Sequence, residues 1–130
     1  MLEIVLSCFD LLVRELQSDF TSSGTLCSGW LYVPEGVTLP PVIVLAHGIS
    51  LTHSFHFWGR AEAYATAGFA VFDFDPRFTG GSDGEPRRMF SVCGWREDLV
   101  AVVAHVRSLE VVDASRVVLT GMSLGGGWSC

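Results

Sequence analysis

The sequence predicts an α/β fold in which a β-hairpin leads into a mostly parallel sheet flanked by helices. Three observations predict it. The short run at residues 42–46 is continuously apolar and those at 69–74 and 116–120 are mostly so, as strands buried on both faces of a parallel sheet are. Two segments with helical apolar spacing separate these runs, so strand and helix alternate. A turn-punctuated pair of β-type segments comes first.

Each element has its own reason. Residues 1–13 read as an N-terminal extension. The run is apolar, but Glu3 and Asp10 interrupt it and no basic segment precedes it, so a signal peptide is not expected. Residues 12–20 alternate loosely and predict a strand. Thr21-Ser22-Ser23-Gly24 predicts a turn, and residues 26–33, with Trp30, Tyr32 and Val33, predict a second strand. The hairpin thus spans residues 14–34. Pro34-Glu35-Gly36 and Pro40-Pro41 punctuate the loop that follows. A β-α-β-α-β core is expected over residues 41–130. Its first helix covers residues 57–67, with Trp58, Ala61, Tyr64 and Ala65 on one side and Gly68 at the C′ position. Its second covers residues 95–109, where Leu99, Val102, Val103 and Val106 form an apolar stripe and Arg96, Glu97 and Arg107 face solvent. Residues 78–86 form a Gly/Pro loop, and residues 113–115 a turn. Right-handed crossovers set the hand of each unit.

Composition narrows the function classes. A chain of 130 residues holds one domain at most. The net charge of −6 argues against a nucleic-acid partner, which calls for a basic patch. No apolar run is long enough to cross a bilayer and the helices are not basic, so no membrane association is expected. The four cysteines, Cys8, Cys27, Cys93 and Cys130, form no C-x-x-C pair, which fits reduced thiols and a cytoplasmic setting.

The chemistry-bearing motif is Gly121-Met122-Ser123-Leu124-Gly125, which follows the third buried run and opens a glycine-rich helix start. It matches the G-x-S-x-G nucleophile elbow. There a serine sits on a tight strand-to-helix turn, so its neighbours two positions away, Gly121 and Gly125, must be small. That turn exposes Oγ at the carboxyl edge of the sheet, where ligands bind in open α/β folds. The first parallel strand ends in His47-Gly48-Ile49. An acyl-transfer site needs two backbone N–H donors for the developing oxyanion. Leu124, after the nucleophile, and Ile49, in the earlier loop, are the candidates. His47 and Gly48 organise that loop, and Asp75 orders the loop after the second parallel strand. Asp73 is at the same edge. His53 and His56 lack further ligands for zinc, so no metal site is expected. His105 is expected to be a packed or surface residue. No dinucleotide or P-loop signature follows any strand, which removes the nucleotide-binding reading.

Together, His47-Gly48, residues 67–71 (AGFAV), residues 80–87 (GGSDGEPR) and residues 121–127 (GMSLGGG) resemble the α/β-hydrolase superfamily. More narrowly, they are similar to its dienelactone-hydrolase, serine-aminopeptidase and X-Pro dipeptidyl-peptidase-like branch and to fungal polyketide transferases. The resemblance covers about residues 14–130 and corresponds to the N-terminal part of that fold, cut after the elbow. It implies a serine hydrolase, or an acyltransferase, acting through an acyl-enzyme on an ester, thioester or amide of a small-molecule acyl substrate, with no cofactor.

Three features depart from the family pattern. Asp75-Pro76-Arg77 is followed by Phe78 where the family usually has glycine. The loop after His47-Gly48 reads Ile49-Ser50-Leu51-Thr52 in place of a glycine-rich stretch. In this fold the triad order is serine, acid, histidine, yet the seven residues after Ser123 include neither an acid nor a histidine. The expectation is a chain that turns over little by itself, or a non-catalytic fragment. Its sheet would end on the nucleophile strand, an exposed edge through which it can self-associate.

Overall fold

The computed structural model describes residues 2–6, 12–46 and 60–121 of the chain. The elements run β1 (Leu2–Leu6), β2 (Leu12–Gln17), β3 (Phe20–Ser22), β4 (Thr25–Cys27), β5 (Gly29–Pro34), β6 (Val42–Ala46), α1 (Arg60–Thr66), β7 (Ala70–Phe74), α2 (Val92–Arg107) and β8 (Val117–Gly121). Six strands form one sheet in the order β1-β2-β5-β7-β6-β8, and β3 and β4 form a separate two-stranded ribbon. β6 lies between β7 and β8 and is parallel to both. β2 and β5 are the antiparallel hairpin, and β5 joins the parallel part by pairing antiparallel with β7.

The sheet has two covered faces, which is why β6 reads as an unbroken apolar run and β7 is interrupted only by Asp73. Successive side chains point to opposite sides. Val42, Val44 and Ala46 of β6 and Phe72 and Phe74 of β7 pack with Trp95, Leu99, Val102 and Val106 of α2. Ile43, Leu45 and Val71 pack on the other face with Ala61 and Ala65 of α1. α2 begins at Ser91, whose Oγ accepts from the Gly94 N–H at 3.0 Å and satisfies one of the orphan donors of the first turn. α1 ends at Gly68, which has φ +99° and donates its N–H to the Ala65 carbonyl at 3.0 Å.

Three findings differ from the sequence reading. Residues 2–6, expected as part of an extension, form β1, which pairs antiparallel with β2 in the register Leu2↔Leu16 to Leu6↔Leu12. The predicted turn at residues 21–24 is narrower: Ser23 and Gly24 turn, while residues 20–22 and 25–27 pair as β3 and β4. Both expected hairpin strands are broken, at residues 18–19 and at Ser28. The cause of the second break is hydrogen bonding that leads away from the ladder. Ser28 donates its N–H to Ser82 Oγ at 2.9 Å, and its carbonyl accepts from Asp75 N–H at 3.0 Å. Gly29 then permits a close approach: a Cβ there would lie 2.5 Å from both the Phe72 ring and the Ser18 carbonyl oxygen. The first helix is described from Arg60, and the expected residues 57–59 lie outside the described residues.

Among the described residues, no helix is long and apolar enough to cross a membrane. Cys27 is buried and Cys93 exposed, both as free thiols. Burial, and next the nearby Asp98 charge, push the Cys27 thiol up to about 11.

Candidate active site at the carboxyl edge of the parallel strands

The site is built where β6 and β8 end. These neighbours are in register from Val42↔Val117 to Ala46↔Gly121. Gly121, the first elbow glycine, is therefore the last residue of its strand and sits beside the last residue of β6. His47, Gly48 and Ile49 follow Ala46 in the chain, and Ser123, Leu124 and Gly125 follow Gly121; all six lie outside the described residues. His53 and His56 lie outside them too. What the fold does establish is that both segments leave from paired residues at one edge.

The third strand end at this edge is that of β7, and Asp75 follows it directly. Asp75 is 2 % exposed. Its carboxylate accepts from the Gly81 N–H at 2.9 Å, and its carbonyl accepts from Ser82 Oγ at 2.5 Å. The residue thus ties the end of β7 to the glycine-rich turn. Asp73, on β7, is also buried, in register with Leu45 of β6 and Trp30 of β5.

The loop from Asp75 to Ser91 is fastened at several points. Arg87 donates to the carbonyls of Ser82, Gly84 and Gly80 at 2.8, 3.1 and 2.9 Å. Asp83 donates its N–H to the Leu26 carbonyl at 2.9 Å, which fixes the loop against β4. Arg77 reaches α2: its Nε donates to Asp98 Oδ1 at 2.6 Å, its backbone N–H to Asp98 Oδ2 at 3.1 Å, and one terminal nitrogen to Glu97 at 2.8 Å and the Gly94 carbonyl at 3.0 Å. Ser22 Oγ also donates to Asp98 Oδ1, at 2.6 Å. Asp98, 3 % exposed, is thus a buried anion shared by the ribbon, the loop and the helix. The Arg77 and Ser23 hydrogen bonds hold the Glu97 carboxyl below its usual range.

Phe78 shows how the departure from glycine is accommodated. It adopts φ +70°, the left-handed region that glycine would occupy without strain. The backbone there is held by two hydrogen bonds, Phe78 N–H donating to the Asp83 carbonyl at 2.9 Å and the Phe78 carbonyl accepting from Arg88 N–H at 2.7 Å. Its ring lies over Gly84, where a Cβ would come within 2.5 Å of the ring, and the Arg77 guanidinium stands 5.8 Å from the ring centre.

The sequence reading missed Asp98. The signal was present: an acid on the buried side of an amphipathic helix, one turn from Trp95 and beside Leu99. His105 is packed, as expected. It is half-buried, stacks on Phe20 at 5.7 Å, and has Nε2 2.8 Å from Ser18 Oγ.

Comparison with known proteins places this arrangement. The family model described as "Serine aminopeptidase, S33" matches residues 40–130. The quorum-quenching protein AidA of Acinetobacter baumannii is 38 % identical over 112 residues, covering 86 % of this chain and 37 % of the relative. The thiohydrolase apmlB of Arthrinium phaeospermum is 31 % identical over 104 residues, covering 80 % of this chain and 33 % of the relative. The crystal structure of the α/β hydrolase GrgF from Penicillium sp. sh18 superposes with a TM-score of 0.80 at 25 % identity, covering 86 % of this chain and 38 % of that one. The chain spans about a third of the length of the relatives it matches.

Proposed function

Because this chain belongs to the serine aminopeptidase (S33) family of α/β-hydrolases, we propose that it contributes the nucleophile and the oxyanion hole of a serine acyl-transfer site. Ser123 Oγ attacks the carbonyl carbon of an ester, thioester or amide. The Oγ proton passes to a histidine that the triad order puts later than Ser123, and then to the leaving group as the carbonyl carbon's bond to it breaks. The backbone N–H groups of Ile49 and Leu124 hold the oxyanion, with His47 and Gly48 shaping the first of these loops and Asp75 ordering the neighbouring one. Water then attacks the acyl-enzyme, releasing a carboxylic acid and restoring the serine. The likeness to a thiohydrolase favours a thioester as the bond attacked.

The observation that carries this reading is the Ala46↔Gly121 pairing. It starts the His47 loop and the serine turn from adjacent points on one edge, the arrangement that a nucleophile with an oxyanion donor on each side requires.

The triad order puts the acid and the histidine later than Ser123, and the seven residues that follow it here include neither. The test joins the C-terminal remainder of AidA behind Cys130 and measures release of thiol from an acyl-N-acetylcysteamine thioester. The joined protein is expected to turn over, the 130 residues alone to stay near background, and Ser123→Ala to cost the joined protein about 10³-fold or more. Equal activity with and without Ser123 sinks the proposal. Adding an alcohol or amine separates the two branches: a new ester or amide product marks an acyltransferase, free acid a hydrolase.

A further inference from the structure

We infer that Ser18 and His105 form a second nucleophile–base pair, distinct from the elbow serine, in which Ser18 takes an acyl group from a small uncharged ester. None of its residues has a role in the Ser123 chemistry, so the two stand or fall separately. The pair is assembled from distant parts of the chain. Ser18 follows the end of β2, in the break before β3, and His105 lies in the last turn of α2. Ser18 Oγ and His105 Nε2 are 2.8 Å apart. Proton transfer between a hydroxyl and its base needs about 2.6–3.2 Å.

Both partners are held. The Ser18 N–H donates to the Gly29 carbonyl at 2.8 Å, and Asp19 Oδ1 accepts from the Gly29 N–H at 3.3 Å and from Gln17 Nε2 at 3.4 Å. Side chains alternate here, so Ser18 shares the α2 side with Leu16 and Phe20, which belong to the core under α2. The His105 imidazole stacks on the Phe20 ring at 5.7 Å, with 29° between the planes, and meets Phe72 edge-on at 5.5 Å. Those two rings fix its plane. A nucleophile, a base within reach of it and a base fixed by further groups are the parts of an activated hydroxyl. Burial pushes His105 below its usual range, against the pull of the Asp19 charge, so the ring is neutral at pH 7. Nε2 then offers a lone pair to the Ser18 O–H. Among the described residues Asp19 is the charge that acts on the ring; Phe20 from β3 and Phe72 from β7 are uncharged. Asp19 and the Phe20 face both favour the imidazolium that forms during the reaction.

In that reaction Ser18 Oγ bonds to the ester carbonyl carbon while its proton moves to Nε2. The carbon's bond to the leaving oxygen then breaks, and that oxygen takes the proton from Nε2. Ser18 is left as an ester and His105 neutral. Ser18 and His105 are only half-buried, so the hydroxyl is open to a small reagent, and the exposed Asp19 beside it disfavours an anionic one. Ser23 supplies the contrast within the same stretch. It is exposed, but its Oγ donates to Glu97 at 3.2 Å and not to a histidine.

The test treats the chain with p-nitrophenyl acetate near neutral pH. Neutral hydroxylamine then strips acetyl groups from the cysteines, and peptide mass mapping locates those that remain. All eight basic side chains are arginine, so no lysine competes for the reagent. Acetylation at Ser18 is expected to be at least about a hundredfold faster than at Ser23. His105→Gln, which keeps a hydrogen-bonding group but no base, should slow it about a hundredfold. Ser18→Ala should remove the label from this segment, and Ser23→Ala should leave Ser18 labelling unchanged. The Ser18 rate should rise with pH and level off, with its midpoint below about 6.5, as the His105 cation is lost. A hydrogen bond that serves packing alone predicts none of this. Circular dichroism melts show whether the variants are folded; if His105→Gln is not, the pH profile of the unaltered chain decides. The inference is overturned by equal labelling of Ser18 and Ser23, by unchanged labelling in folded His105→Gln, or by a rate that goes on climbing above neutral pH. Because Ser18 and Ser123 lie on different peptides, a label at one is read independently of the other.

Discussion

β6 and β8 are paired residue for residue, and as sequences they are nearly interchangeable five-residue apolar strands. Their surroundings differ. β6 has a parallel neighbour on each side and a helix over each face, whereas β8 has one neighbour and stands at the margin of both helical layers. The lesson is that an apolar run encodes the burial a strand is built for. Which neighbours provide that burial is decided by topology. In β6 the requirement is met within the described residues; in β8 it is met on one side only.

The comparison can be broken most sharply by truncating side chains on either side of it. Phe72, on β7 beside β6, is fully buried and meets Phe20 edge-on at 6.2 Å. Phe72→Ala should cost about 3–5 kcal/mol, the usual range for emptying an aromatic site in a core. Val118→Ala, at an exposed residue of β8, should cost less than about 0.5 kcal/mol. Urea unfolding of both variants measures the contrast. If Val118→Ala costs as much as a core truncation, β8 is covered in solution and the contrast with β6 is false.

A second contrast sets the apolar centre against the ionic junction that holds the Asp75–Ser91 loop. Asp98→Ala removes the acceptor for Arg77 and Ser22 and leaves a guanidinium that is only 10 % exposed with fewer partners. Losing one member of a buried pair costs about 3 kcal/mol. Replacing the exposed Glu97, which also meets Arg77, should cost under about 1 kcal/mol, since ion pairs reaching solvent contribute little. Thermal melts of Asp98→Ala and Glu97→Ala rank the two. Equal losses would mean that the loop is held by net charge and not by the buried hydrogen bonds.

How far these regions were legible in the sequence follows from the range of the interactions that make them. β6 and β7 were legible because a strand buried on both faces writes an apolar run of its own length, β8 because it carries a similar run although its residues are only partly buried, and α2 because its stripe repeats every turn. β1 was not, since Glu3 and Asp10 interrupt the apolar run that holds it, and its place is fixed by pairing in register with β2. The breaks at residues 18–19 and at Ser28 were not legible either. At Ser28 the cause lies about fifty residues away, in the hydrogen bond to Ser82. For the site, the elbow and His47-Gly48 were local motifs, and the fold adds that their strands are adjacent. Asp98 was signalled only by an acid on an apolar stripe, and its partners Ser22 and Arg77 come from other elements.

The smallest contrast lies within the loop itself, at Phe78, where a bulky side chain holds a conformation made for glycine. Two terms oppose each other there. The left-handed backbone costs a side-chain-bearing residue about 1–2 kcal/mol. The ring regains part of that through its contact with Gly84 and the Arg77 guanidinium, the latter interaction being about 0.5–2 kcal/mol. Phe78→Ala keeps the strain and loses the contacts, so it should destabilise. Phe78→Gly loses the same contacts but removes the strain, and should be more stable than Phe78→Ala by about 1 kcal/mol. That order is the reverse of the one expected in a helix or strand, where alanine is the more stable. Chemical unfolding of the two variants side by side decides it. If alanine proves the better residue, the +70° angle is not held in solution, and the loop has been reshaped where the family's glycine was replaced.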